Sequence, residues 1–245
     1  MISLWKVSLM MSLTTKKNKG FMVKESKFAI FNYKDIYGDL INDLVEYLEK
    51  EAKEIYDFFG IKESYNKPII NIVSTKKEFD EYFKEEYGYE APKYSRGIFK
   101  RDGSINYLSI KDYSNTTHAF KEEDYDNAFV DFKKTLMHEY VHYVNSLFNQ
   151  TSDCGPTAIY LREGIAVYLS RQKENESIKF DFSLDDILSN NTKKKIYNAY
   201  YLLVKYLVEN YDKSFVLELF KSNRAAKEFL IKELFDGVVR EAGEI

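Results

Sequence analysis

Two histidines and a glutamate lie close together in a stretch of the sequence that is otherwise apolar. His138, Glu139 and His142 are the strongly polar side chains between Leu136 and Val144, where the other positions are Leu, Met, Tyr or Val. The spacing of apolar residues predicts a helix over 126–149, and a helix that is apolar almost all round is buried. Burying a polar group without a partner costs about 2–7 kcal/mol. The three side chains therefore need partners, and a bound metal ion is the most economical one.

The spacing of these residues suits a metal ion. Residues i and i+4 share one face of a helix, about 6 Å apart along its axis, so His138 and His142 can reach the same ion. Glu139 is displaced by about 100° around the helix, which places it beside the open position of the ion. There it can accept a proton from metal-bound water. This is the H-E-x-x-H pattern of two zinc ligands and a general base. The alternative is a pair of core histidines hydrogen-bonded to the backbone.

A catalytic zinc takes three protein ligands and one water. His118 lies upstream in a polar segment and no histidine follows His142, which excludes the extended three-histidine pattern. The third ligand is therefore expected to be a carboxylate. Glu163 is favoured over Asp153, because Glu163 lies in a helix predicted over 157–172 and Asp153 lies in a turn. The alternative for Glu163 is an ordinary exposed position.

The composition indicates a folded protein without a strong electrostatic field. Of 245 residues, 44% are hydrophobic and 16% aromatic, and 36 Lys+Arg nearly balance 39 Asp+Glu. Nothing in this balance favours nucleic acid or an anionic membrane as a partner. The one cysteine, Cys154, cannot form an internal disulfide. No apolar run approaches the length of about 20 residues that spans a bilayer.

Residues 1–20 are expected to be a poorly ordered lead-in, and the protein is expected to be cytoplasmic, with secretion as the alternative.

The elements that must position the histidines and the glutamates follow an α+β pattern. Strands are predicted at 28–33 and 68–74 and on both sides of the turn Asp102-Gly103, with helices at 39–59 and 75–87. Later segments are predicted to be helical: 126–149, 157–172, 192–210, 213–221 and 224–236. We expect an α+β N-terminal lobe with a small mixed sheet over 21–149, which includes the histidine helix. A helical C-terminal lobe over 150–245 is expected to carry the third ligand.

The two helices that carry the candidate ligands resemble those of the gluzincin metallopeptidases. Residues 136–143 and 160–168 are similar to the paired helices of small bacterial peptidase-MA-like proteins, the second of which reads approximately L-x-E-G-x-A-x-Y. The first helix also resembles that of clostridial collagenase peptidase domains. The similarity extends over roughly residues 70–236. It implies a zincin-like fold with the active-site helix at the junction of the lobes, and a peptidase that binds zinc.

The resemblance also implies roles for individual residues. Glu139 is expected to act as the general base for a zinc-bound water in the hydrolysis of peptide bonds in a protein or peptide substrate. A tyrosine of a downstream helix is expected to stabilise the oxyanion. Tyr197 is the first choice for this role, and Tyr200 and Tyr201 are the alternates.

In zincins the substrate pairs with the edge strand of the sheet in the N-terminal lobe. The segment 104–110, with Ile105, Tyr107 and Ser109, is expected to form that edge, and the alternative is an ordinary hairpin strand. The Gly-x-Met-Glu-Asn stretch of gluzincin aminopeptidases is absent, which favours an endopeptidase. Several gluzincins carry an acidic residue four positions after the glutamate ligand, where this chain has Val167. The hydrogen-bond acceptors that orient the two imidazoles are therefore unassigned.

Two other classes of function compete with a zinc endopeptidase. The first is a catalytically inactive zincin-fold module that binds or regulates a partner. Intact Glu139 argues against it, because a protein without turnover has no mechanistic need for the base. The second is a helical interaction protein with an aromatic groove, which predicts no bound metal.

Overall fold

A five-stranded mixed sheet forms the N-terminal part of the protein. The computed structural model describes residues 21–34, 38–62, 66–92, 95–110, 125–151, 157–190 and 195–243. The strands are β1 (Phe21–Glu25), β2 (Ile30–Lys34), β3 (Ile69–Val73), β4 (Gly97–Phe99) and β5 (Ile105–Leu108), in the spatial order β1-β2-β3-β5-β4. The β1–β2 and β4–β5 pairs are antiparallel, and the β2–β3 and β3–β5 pairs are parallel. The expected α+β fold with a small mixed sheet is confirmed.

The expectation that the segment 104–110 forms the edge of the sheet is wrong. β5 lies between β3 and β4, with Ile70 opposite Ile105 on one side and Gly97 opposite Tyr107 on the other. The side chains of Ile105, Tyr107 and Ser109 have no exposed surface. The turn at Asp102-Gly103 dictates that the two arms pair, but it does not decide which arm also pairs with β3. The more apolar arm takes the interior position, because a central strand is covered on both faces, and β4 becomes the edge strand.

Helices cover the sheet and form the C-terminal half. Their bounds are α1 Gly38–Phe59, α2 Lys76–Tyr87, α3 Tyr125–Thr151, α4 Ile159–Leu169, α5 Leu184–Leu188, α6 Ile196–Asn210, α7 Lys213–Phe220, α8 Asn223–Phe229, a π-helical segment Leu230–Leu234 and α9 Phe235–Gly243. The predicted helices correspond to α1 to α4 and α6 to α8, although α4 ends three residues early. β1, α5 and α9 were not predicted. β1 is largely exposed and lacks apolar alternation, whereas the capping box of Ser183 and Asp186 is a sequence signal for α5.

The two faces of the sheet pack against different helices. Ile70 and Ile72 of β3 belong to a large hydrophobic core that also includes residues of α1, α3, α4 and α6. Val73 faces the other way and packs with Phe79 and Phe83 of α2 in a smaller cluster. Residues of both predicted lobes thus share the large core, and the division of the chain near residue 150 stays a prediction.

The histidine helix α3 lies where the sheet meets the C-terminal helices. Phe99 of β4 packs edge-on against Tyr143 of α3, with ring centroids 6.2 Å apart, and Arg96 donates a hydrogen bond to Asp131 of α3 at 3.0 Å. On its other side α3 packs against α4. In the described part of the chain, no helix has the length and apolar character required to cross a membrane. Both the edge strand β4 and the helix α4 therefore pack against α3.

Candidate metal centre

α3 and α4 bring the three predicted ligands together. The Nε2 atoms of His138 and His142 are 3.1 Å apart. Glu163 Oε2 is 3.5 Å from His138 Nε2 and 3.3 Å from His142 Nε2. All three side chains are nearly buried, and Glu163 is only 8% exposed. The alternative of an ordinary exposed position for Glu163 is therefore wrong.

The separations of these atoms suit a tetrahedral zinc ion. Two donor atoms bound to one zinc at about 2.0–2.1 Å, with a tetrahedral angle between them, lie about 3.3 Å apart. The three observed separations run from 3.1 to 3.5 Å. Two imidazoles and a carboxylate are also the ligands that zinc takes in catalytic sites. The residues present therefore fit the metal, and they form a group of possible metal ligands.

The close approach of Gly164 to α6 fixes how α4 sits beside the metal centre. A Cβ atom at Gly164 would lie 2.5 Å from the backbone oxygen of Tyr200 and 2.5 Å from Cγ2 of Val204. The lack of a side chain at this position lets the two helices touch through their backbones. The packing of the α4 backbone against α6 therefore fixes the position of Glu163, the residue before Gly164.

The electrostatics of the group favour a bound cation. Burial alone would raise the pKa of Glu163, but the two imidazoles hold it well below its usual range. Burial alone would lower the pKa of His138, but the hydrogen bond to Glu163 and the charges of Glu139 and Glu163 raise it. Glu163 Oε1 accepts a hydrogen bond from Arg162 Nε at 3.0 Å. Glu163 is therefore a carboxylate anion whose Oε2 atom faces both imidazoles.

Glu139 lies against the edge strand β4. A Cβ atom placed on Gly97 would be 2.7 Å from Glu139 Cγ and 2.9 Å from Oε1. Glu139 is 8% exposed, and its charge is near enough to His138 to raise the pKa of that histidine. The missing side chain at Gly97 therefore makes the space in which the carboxylate of Glu139 lies.

Replacing Gly97 by alanine is expected to displace Glu139 and to lower kcat with zinc content unchanged. A misplacement of a reacting group by about 1 Å can cost about 100-fold in rate, and this sets the expected size of the effect. Steady-state kinetics on a fluorogenic peptide, with zinc measured on the same samples, test this. Gly243→Ala is the matched control, because a Cβ atom there meets nothing within 4 Å. Equal kcat values for the two variants would contradict the placement of Glu139.

Of the three candidate tyrosines, Tyr197 lies at the metal centre. Its ring centroid is 6.4 Å from that of His138, and it is 46% exposed. Burial of its hydroxyl, then the charges of Glu163 and Glu139, raise the pKa of Tyr197, so the hydroxyl stays protonated at neutral pH. Tyr200 is fully buried and donates to Asn190 Oδ1 at 3.0 Å, and Tyr201 packs in the interior. Of the three, Tyr197 is thus the tyrosine whose ring lies beside His138 and is partly exposed.

Two residues near the site were not predicted. Tyr87 ends α2, and its ring packs at a tilt against Phe83, with ring centroids 4.7 Å apart. Burial and then the charge of Glu139 raise the pKa of Tyr87, so Tyr87 lies within electrostatic range of Glu139. Gln172 Oε1 lies 3.1 Å from His138 Nδ1. The sequence carries no signal for either contact, because each depends on segments that meet only in the fold.

The match to a known family agrees with this geometry. The fold is α+β, and two packed helices carry a nearly buried His, His and Glu group that could hold a metal ion. Residues 109–230, which include α3, α4, α6 and α7, match the model of peptidase family M9, described as collagenase. The chain is a zinc metallopeptidase, and the resemblance to collagenase peptidase domains noted in the sequence is confirmed over these residues. No curated protein matches the chain closely enough to count as a relative.

Proposed function

We propose that the protein is an endopeptidase in which His138, His142 and Glu163 hold the zinc. The observation that carries the proposal is the buried trio of donor atoms, 3.1–3.5 Å apart, with Glu139 alongside on the same helix as the histidines. Zinc, when bound, supplies Lewis acidity to the scissile carbonyl and lowers the pKa of water to about 7. The division into two lobes with α3 at their junction, as in zincins, is part of the proposal.

The chain's own part in hydrolysis begins with Glu139. Its carboxylate accepts a proton from the attacking water as the water oxygen bonds to the scissile carbon. The same proton then passes to the leaving amine nitrogen when the carbon–nitrogen bond breaks, so that the carboxylate is regenerated. General acid–base catalysis of this kind contributes about 10²–10⁴-fold to the rate.

The substrate is proposed to pair with β4, the edge strand next to Glu139. The backbone N–H of Leu108 donates to the backbone oxygen of Arg96, and the backbone N–H of Lys100 donates to the backbone oxygen of Ser104. The backbone hydrogen-bonding groups of Arg96 and Lys100 therefore point toward β5. In an antiparallel pair the alternate residues point the other way. The backbone groups of Gly97 and Phe99 therefore face the outer side of the sheet. An extended peptide added there makes main-chain contacts that need no free terminus, which supports an endopeptidase.

Tyr197→Phe is expected to lower kcat by about 10²–10³-fold, the usual cost of losing one oxyanion donor. Zinc content should not change, because the hydroxyl is proposed to contact the substrate and not the metal. Stopped assays on a fluorogenic peptide, with zinc measured by elemental mass spectrometry, test the expectation. Tyr201→Phe is the matched control, as its ring is buried and packs against Tyr168. Unchanged turnover in Tyr197→Phe would remove this assignment.

The endopeptidase itself is tested with unfolded casein and gelatin as substrates. Zinc-loaded protein is expected to release internal fragments at early times, identified by mass spectrometry, and the zinc chelator 1,10-phenanthroline should stop their release. Stepwise loss of single residues from one end would contradict an endopeptidase. Bound zinc with no product from either substrate would favour the inactive binding module. The cytoplasmic location stays a prediction, and cell fractionation tests it.

A further inference from the structure

We propose that Gln172 is the positioning residue for the zinc ligand His138, an inference that rests on the proposed zinc site. Gln172 follows the end of α4, and its Oε1 atom lies 3.1 Å from His138 Nδ1. His138 Nε2 faces His142 and Glu163 on the other side of the ring. The two ring nitrogens of His138 thus have separate partners, one toward the metal group and one toward Gln172.

The hydrogen bond fixes which nitrogen of His138 carries the proton. A neutral imidazole has one N–H, and a metal needs the lone pair of the other nitrogen. An amide oxygen at Nδ1 accepts a hydrogen bond only from Nδ1–H, which leaves Nε2 free of a proton. The opposite amide orientation would put the proton on Nε2, where zinc must bind. Zinc binding and the Oε1 contact therefore select the same tautomer.

The turn after α4 places Gln172 at this point. Arg171 N donates to Tyr168 O at 3.1 Å, and Gln172 N donates to Val167 O at 3.2 Å. With Arg171 at a φ of 56°, these two bonds form a Schellman motif, which ends helices in a left-handed residue. The motif directs the chain back along the helix. Gln172 follows this left-handed residue directly, and its side chain contacts His138.

Arg171 is an unusual residue for this position, which glycine normally occupies. The left-handed region is unfavourable for a residue with a side chain, because its Cβ atom crowds the backbone. The guanidinium of Arg171 lies 3.2 Å from Glu51 Oε2 and 2.6 Å from Glu54 Oε2, both on α1. These ion pairs give the turn a fixed attachment to a second helix.

The Nδ1 atoms of the two histidines differ in their hydrogen bonding. His142 Nδ1 is buried, and within the described ranges no hydrogen-bond partner lies next to it. Val167, four residues after Glu163, is buried and apolar, so it cannot accept a hydrogen bond from either imidazole through its side chain. Gln172, five residues further on, is the acceptor that the fold supplies for His138. The orientation of the first histidine therefore depends on a turn residue outside both ligand helices.

The test is the zinc affinity of Gln172→Leu and Gln172→Glu, measured by competition with a chelating fluorophore at neutral pH. Gln172→Leu, which removes the acceptor at similar size, is expected to weaken zinc binding about 10–100-fold, as changes in outer-shell partners do. Gln172→Glu keeps an acceptor and is expected to bind zinc as tightly as the wild type. The visible spectrum of the Co²⁺-loaded protein should change in Gln172→Leu and not in Gln172→Glu. The unfolding midpoint of the metal-free protein should be the same in all three.

Equal zinc affinity of Gln172→Leu and the wild type would overturn the inference and leave the zinc site standing. Equal weakening in both variants would also overturn it, because the effect would then come from packing and not from the acceptor. Absence of zinc binding by the wild type would instead contradict the proposed zinc site. The three results are distinct, so failure of the inference is separable from failure of the function.

Discussion

Glu139→Gln is expected to lower the rate of peptide hydrolysis by about 10²–10⁴-fold while one zinc stays bound per chain. Glutamine keeps the shape of the side chain against Gly97 but cannot accept the proton of the attacking water. The loss should appear in kcat, because Glu139 is proposed to act on the reacting atoms and not to hold the substrate. Steady-state kinetics on a fluorogenic peptide and elemental mass spectrometry of the same preparations measure both quantities.

The matched control for this variant is Glu209→Gln, an exposed glutamate near the end of α6. It makes the same change of charge far from the histidine helix in sequence and is expected to keep wild-type kinetics. Retained activity in Glu139→Gln would contradict the assignment of the general base. Loss of activity together with loss of zinc would mean that Glu139 supports the metal instead.

Glu163→Ala is expected to abolish both zinc binding and activity. The variant removes the one carboxylate ligand and leaves the two imidazoles, whose Nε2 atoms lie 3.1 Å apart. The loss of affinity should exceed the roughly 100-fold that a change in an outer-shell partner costs. Elemental mass spectrometry of the purified variant, and competition with a chelating fluorophore, measure the stoichiometry and the affinity.

Glu218→Ala is the control for Glu163→Ala, since Glu218 pairs with Lys221 at the surface of the C-terminal helices. It is expected to keep one zinc per chain. Circular dichroism of both variants separates loss of a ligand from loss of the fold. Full zinc occupancy in a folded Glu163→Ala protein would show that another group completes the site.

The grouping of His138, His142 and Glu163 could be predicted from the sequence because its geometry is largely local. The spacing of His138 and His142 by four residues fixes their common face once the segment is helical. The choice of Glu163 needed only a second apolar helix with a carboxylate and with a glycine for close packing. Spacing rules of this kind hold in the folded protein, because neither helix changes its internal geometry when the two pack together.

The contacts that depend on how segments meet could not be predicted in the same way. The apolar pattern of Ile105 and Tyr107 is that of a strand, but it does not say whether the strand is central or at an edge. The helix predicted over 157–172 ran through Arg171, where the structure has a turn. An arginine with positive φ carries no sequence signal of a helix end. The contact of Gln172 with His138 follows from that turn.

Diffraction from crystals of the zinc-loaded protein, collected on both sides of the zinc absorption edge, tests the central claim most directly. The account predicts one anomalous peak per chain, within bonding distance, about 2.0–2.2 Å, of His138 Nε2, His142 Nε2 and a carboxylate oxygen of Glu163. Glu139 should lie next to the metal without binding it. A peak held by other side chains, or no peak in fully loaded protein, would contradict the proposed site.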